Sequence, residues 1–108
     1  MDFGLQQKDL QEITAILQKF PTIDEAVLFG SRAKGTFKRG SDIDIAIKGE
    51  GINHDIVISL SSLLNEESSS PYFFDIVHFD DISEVELLAH IQRVGRCIYK
   101  REEVPRLP

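Results

Sequence analysis

Two carboxylates, Asp42 and Asp44, stand two residues apart in Ser41-Asp42-Ile43-Asp44-Ile45-Ala46-Ile47. In an extended segment side chains alternate, so both leave one face about 7 Å apart at the backbone, while Ile43, Ile45 and Ile47 line the other. Two like charges so placed repel, and among isoleucines the pair is costly unless a divalent cation or a basic partner neutralises it. Hard carboxylate oxygens with no His or Cys beside them favour Mg²⁺ or Mn²⁺ over zinc. Taken alone, an Asp-x-Asp is also what a solvated edge strand with two surface acids looks like. A third carboxylate, Asp75, interrupts the aromatic run Tyr72-Phe73-Phe74-Asp75-Ile76-Val77-His78-Phe79. An acid there needs a ligand or a partner unless it faces water.

Upstream, Phe29-Gly30-Ser31-Arg32-Ala33-Lys34-Gly35 leaves an apolar run through a glycine. Backbone N–H groups and the Ser31 hydroxyl can then face an anion, with Arg32 and Lys34 close by. Gly30 and Gly35 have the separation of a Walker A loop, but Thr36 stands where that motif requires Lys, so the P-loop reading drops out. Between Ser31 and Gly40 lie Arg32, Lys34, Lys38 and Arg39 with no acid, one basic segment in a chain whose net charge is −6. That overall charge argues against a general nucleic-acid binder, whose footprint is a basic face.

The elements that must position these groups follow from periodicity. Leu5, Leu10, Ile13, Ile16, Leu17 and Phe20 predict a helix from about Gln6 to Lys19, with Pro21 after it. Ala26-Val27-Leu28-Phe29, halted by Gly30, predicts a buried strand, and a turn-rich basic connection runs on to Gly40. Ser41–Ile47 is a second strand. Asn53 is a candidate N-cap for a helix through Ile56, Leu60, Leu63 and Leu64, closed by the Ser68–Pro71 loop. Tyr72–Phe79 is a third strand. Ser83 and Glu86 have capping-box spacing before a helix carrying Val85, Leu87, Leu88 and Ile91, which ends ahead of Gly95. Cys97-Ile98-Tyr99 adds a short strand, and the tail from Arg101 to Pro108 is expected to fray. His78, three residues past Asp75, faces the opposite side of a regular strand. His54 and His90 have no acidic partner in sequence, and Cys97 reads as a small buried hydrophobe.

At 108 residues there is room for one domain, spanning residues 1–108. With 42% hydrophobic and 28% charged residues the composition is that of a soluble globular protein. No apolar stretch approaches the roughly 20 residues of a membrane span. The opening MDFGLQQKDL has no apolar core of a secretory signal, and a single Cys97 cannot form an internal disulfide, so a reducing cytoplasm is expected.

The order of these parts, Gly-Ser after a strand, a basic connection of about ten residues, then Asp-hydrophobic-Asp, resembles the polymerase-β-like nucleotidyltransferase superfamily. Gly30-Ser31-Arg32-Ala33-Lys34-Gly35 followed by Gly40-Ser41-Asp42-Ile43-Asp44-Ile45-Ala46 is most similar to the minimal nucleotidyltransferases of prokaryotes, the MntA-like antitoxins. The ending Ile91-Gln92-Arg93-Val94-Gly95-Arg96-Cys97-Ile98-Tyr99 is similar to theirs too, so the likeness covers nearly the whole chain.

The resemblance implies an α/β (α+β) nucleotidyltransferase fold, a small mixed sheet flanked by about three helices. It implies metal-dependent transfer of AMP from ATP with release of pyrophosphate. Asp42 and Asp44 would hold Mg²⁺ or Mn²⁺, and Asp75 would complete the site and accept the acceptor's proton. Gly30 and Ser31 would hold the triphosphate, and Arg32 and Lys34 would neutralise it further. Members of this family pair with a small helical HEPN-type toxin protein, which they silence by binding it and adding AMP to a hydroxyl. A hetero-oligomer with such a partner is therefore expected, a homodimer being the other possibility. The toxins' arginine followed four to six residues later by histidine is absent here, so this chain is on the antitoxin side. Two other readings stay open: nucleotidyl transfer to a small molecule, and a binding module that blocks its partner without turnover.

Overall fold

A computed structural model describes residues 3–101. Helix α1 (Gln7–Leu17) leads into strand β1 (Glu25–Phe29), and a short helix α2 (Gly30–Lys34) precedes β2 (Ile43–Lys48). Helix α3 (His54–Ser62) continues into a wide π-type turn over Leu63–Glu67, followed by β3 (Phe74–His78), α4 (Val85–Val94) and β4 (Arg96–Lys100). The four strands form one mixed sheet in the order β3-β2-β1-β4, with β2 and β3 parallel and the other pairs antiparallel. The expected α+β architecture is therefore present, with four α-helices among the described residues where the periodicity gave three.

The alternation of each strand decides the layers. Ala26 and Leu28 of β1, Ile43, Ile45 and Ile47 of β2, and Phe74 and Ile76 of β3 join Ile13, Ile16 and Leu17 of α1 and Leu60 of α3 in the main core. Val27, Phe29 and Ala46 point the other way and pack against Ile91 of α4, with Val77 and Leu87 around them. Asp44 shares this second face, because it alternates with Ile43 and Ile45. The larger apolar face thus fixes the sheet, and the smaller one leaves room for polar groups. No helix among the described residues is long and apolar enough to cross a membrane.

Local chemistry explains where the elements begin and end. Asn53 caps α3 as its composition suggests, Oδ1 accepting from the Ile56 N–H at 2.9 Å. The extra helix α2 falls in the segment read as a turn. Five residues are too few to show periodicity, and its end is set by Gly35, whose φ of +87° is readily reached by glycine. The Ser83–Glu86 capping box does not form: the N-cap of α4 is Glu84, with no side-chain hydrogen bond to the helix. Cys97 is exposed rather than buried, because β4 is an edge strand. Arg101, the first residue of the expected frayed tail, is tied down through its N–H to the Asp24 carbonyl at 2.8 Å, and the rest of that tail lies outside the described residues.

Candidate active site

The pairing register brings two expected site positions, Asp44 and Asp75, into one row with Phe29, the residue before the Gly-Ser turn. Phe29 is opposite Asp44 across the β1–β2 pair, and Asp44 is opposite Asp75 across the β2–β3 pair. Neighbouring strands are about 5 Å apart, so the Asp44 and Asp75 backbones are close neighbours on one face. Asp42 precedes β2 and is exposed, Asp44 is half-buried, and Asp75 is exposed. His78 lies on the other face from Asp75, as the strand period requires.

Electrostatics singles out Asp44. Its carboxyl is pushed up to about 6, first by burial, then by the negative charge of Asp75 and then by that of Asp42. Two of the expected metal ligands therefore act on the third, Asp44, although among the described residues no three acidic, His or Cys side chains close on a single point tightly enough to hold an ion. The donor set still fits a hard divalent cation: it consists of carboxylate oxygens, it lacks His and Cys, and it suffers a repulsion that a cation would remove.

The burial and crowding of the Asp44 carboxyl have a measurable consequence. A carboxyl whose folded pKa is about 6 against 3.8 unfolded contributes stability below about pH 4 and loses it as pH rises through about 6. Asp44→Asn removes this titration. The variant is expected to match the parent near pH 4 and to exceed it at pH 7.5 by roughly 1 kcal/mol after allowance for solvent screening, or about 4–8 °C in Tm. Millimolar Mg²⁺ is expected to raise the Tm of the parent by mass action and to leave Asp44→Asn unmoved. Thermal melts at the two pH values, with and without metal, check both parts; a variant less stable than the parent at pH 7.5 contradicts the assignment.

The Gly-Ser turn follows directly from β1. Gly30 has φ +75°, and a Cβ placed on it would collide with Asp44 Oδ2 and lie 3.1 Å from Asp44 Cγ. The glycine therefore lets the turn and the carboxylate occupy adjoining space. Its N–H donates to His90 Nε2 at 3.1 Å, a contact between residues sixty positions apart in sequence. Ser31 is half-buried at the start of α2, its carbonyl accepting from the Gly35 and Thr36 N–H groups at 3.0 Å each.

Arg32 and Lys34 part company. Lys34 is exposed. Arg32 is only 2% exposed, and its guanidinium serves the protein interior: Nε and Nη2 donate to the Ser41 carbonyl at 3.1 and 2.8 Å, and Nη1 to the Phe3 carbonyl at 2.9 Å. It also lies over the Tyr72 ring at 4.7 Å from the centroid and the Phe37 ring at 5.3 Å. Where the sequence reading has Arg32 neutralising a triphosphate, the structure has it bracing the α2–β2 connection one residue before Asp42.

Two further residues shape the site without having stood out in the sequence. His90 falls within the apolar stripe Leu87–Ile91–Val94 of α4, a position that is itself a signal for a polar group with a buried partner. Asn65, in the π-type turn, accepts from the Phe74 N–H at 2.7 Å and donates to the Phe74 carbonyl at 3.0 Å. One amide side chain thus closes both hydrogen bonds on the outer edge of β3, one residue before Asp75. Asn65→Ala leaves a buried strand residue short of two partners, and is expected to cost about 1–3 kcal/mol by urea denaturation. Asn65→Asp, which keeps the acceptor alone, falls between the two.

Residues 11–104 match the family model described as polymerase beta, nucleotidyltransferase. A search of curated proteins gives no match. Among solved structures, a chain in the crystal structure of a toxin-antitoxin with AMP-PNP superposes with TM-score 0.71 at 24% identity, over 86% of this chain and 74% of that one. A chain of the tri-AMPylated Shewanella oneidensis HEPN toxin in complex with its MNT antitoxin gives TM-score 0.68 at 21% identity, over 90% and 74%. A Sulfolobus solfataricus protein described as a nucleotidyltransferase gives 0.53 at 22%, over 87% and 82%. These likenesses bear on the fold. With the family model matched along most of the chain, and with Gly30, Asp44 and Asp75 brought together at one end of the sheet, this protein belongs to the polymerase-β nucleotidyltransferase family.

Proposed function

We propose that the chain is a metal-dependent nucleotidyltransferase that transfers AMP from ATP to a hydroxyl of a partner HEPN-type toxin protein, and so serves as the antitoxin of a cytoplasmic toxin-antitoxin pair. The observation that carries this reading is the row running from the Gly30–Ser31 turn through Asp44 to Asp75. The named contents of the structural neighbours, an AMP-PNP complex and an AMPylated HEPN toxin, support the choice of nucleotide and partner.

Each residue has a part in the proposed chemistry. Asp42, Asp44 and Asp75 would hold Mg²⁺ or Mn²⁺, which when bound offsets the charge on the phosphates and aligns them. Ser31 donates to a triphosphate oxygen, and the exposed Lys34 adds attraction from the rim. The acceptor's hydroxyl oxygen attacks the α-phosphorus while the bond from that phosphorus to the α,β-bridging oxygen breaks. Pyrophosphate leaves with the bonding pair, and the hydroxyl proton passes to an Asp75 carboxylate oxygen. Such in-line displacement needs leaving group and acceptor on opposite sides of the reacting phosphorus. The strand order supports this, since the Gly-Ser turn follows β1, Asp75 stands on β3, and β2 with Asp44 lies between them.

Mass spectrometry of the partner after co-expression tests the reading. An adenylate added to a hydroxyl of the partner is the expected result. A partner that is silenced but carries no adenylate would make the chain a binding module, and labelled AMP recovered on a small molecule instead would move it to the other enzyme class.

A further inference from the structure

His90 makes a contact that no local feature of its helix requires. It projects from α4 to accept the Gly30 N–H at 3.1 Å, and its ring stands edge-on to Phe29, with centroids 6.2 Å apart and planes at 80°. Accepting through Nε2 places the imidazole's proton on Nδ1. The support around it is rigid: the next residue, Ile91, is 3% exposed and packs with Phe29, Val27 and Ala46 beneath α4. The ring is therefore held from both sides, by its own helix and by the strand residue that precedes the turn.

The recipient of this bond is the peptide most in need of one. Gly30 sits at φ +75° with no Cβ, so its own sterics resist rotation less than those of any other residue. That N–H lies in the Phe29–Gly30 peptide at the entry to the turn, and rotation about the Gly30 N–Cα bond beside it would turn Ser31 and change the gap between the turn and the Asp44 carboxylate, which a Cβ at Gly30 would fill. We propose that His90 is a positioning residue for the nucleotide site: by accepting the Gly30 N–H it fixes the peptide that aims Ser31 at the triphosphate and keeps it beside Asp44. One corollary is that the Gly30 N–H is engaged, which leaves recognition of the phosphate to Ser31 and the residues after it. The inference rests on reading the Gly-Ser turn as the triphosphate site.

Two measurements on the full chain, with His90→Ala and His90→Gln, test it. Amide hydrogen exchange reads the bond itself. The Gly30 amide is expected to be protected in the parent, to lose protection in His90→Ala while Leu28 and Ile45 keep theirs, and to regain most of it in His90→Gln, whose Oε1 can accept in place of Nε2. Titration with an unhydrolysable ATP analogue and Mg²⁺ reads the function. His90→Ala is expected to bind about tenfold more weakly, the size of one hydrogen bond, with His90→Gln restored to within about threefold of the parent. A merely structural histidine would lower Tm in both variants without moving the dissociation constant. A parent that binds and a His90→Ala variant that binds equally well overturn this inference and leave the proposed function standing. A parent that does not bind the analogue overturns the triphosphate reading itself, and this inference with it.

Discussion

Asp42→Ala combined with Asp44→Ala is expected to lower the proposed AMP transfer to a HEPN-type partner by about 10³-fold or more while the chain still folds and still binds that proposed partner. The size follows from the role proposed for the two carboxylates. Preorganised charge at a phosphoryl centre contributes several kcal/mol to the transition state, and each 1.36 kcal/mol is a factor of ten in rate. Folding survives for the reason given by the raised Asp44 pKa: burial first, and then the charges of Asp75 and Asp42, disfavour its ionised carboxylate, so its removal relieves the folded state at neutral pH. Neither side chain belongs to the apolar core on either face of the sheet. The variant thereby separates catalysis from binding. Loss of the adenylate with retained complex formation is the result an enzyme gives. Full neutralisation of the partner by a variant that adds no adenylate would show that transfer is dispensable and that steric binding is the activity that matters.

The positions of these carboxylates were legible in the sequence because strand alternation is a strict period. Ile43, Ile45 and Ile47 specify one buried face of β2, so Asp42 and Asp44 had to share the other, and the same argument turned His78 away from Asp75. Residues whose roles depend on tertiary contact were less legible. Arg32 looks like any basic residue of an exposed turn, and only folding brings the Ser41 and Phe3 carbonyls and two aromatic rings around its guanidinium. Five residues of helix at α2 carry too few apolar positions to show a 3.6 period. Asn65 reaches the β3 edge nine residues on, and His90 reaches Gly30 sixty residues back, and no spacing rule links either pair. Chemistry that lies along one strand can be read from order alone; chemistry shared between elements needs the packing.

Gly30→Ala is expected to be among the most damaging single substitutions in the chain, at about 2–4 kcal/mol and a loss of about 10 °C or more in Tm. Two effects add. An L-residue at φ +75° is in the left-handed region, which costs about 1–2 kcal/mol for alanine. The new methyl also runs into the Asp44 carboxylate, with Cγ 3.1 Å away and Oδ2 nearer still, so either β2 shifts or the carboxylate turns out of the row. The fold and the site therefore fail together, which is a stronger expectation than loss of nucleotide binding alone. A double-mutant cycle divides the two effects. In an Asp44→Ala background the contacts with Cγ and Oδ2 are gone, and what remains is Cβ at 3.4 Å, an ordinary van der Waals distance. Gly30→Ala in that background is expected to cost only the backbone strain, giving a coupling of about 1–2 kcal/mol between the positions by urea denaturation. Equal costs in the two backgrounds would mean that the carboxylate does not border the glycine, and the close approach of turn and Asp44 on which the site depends would have to be abandoned.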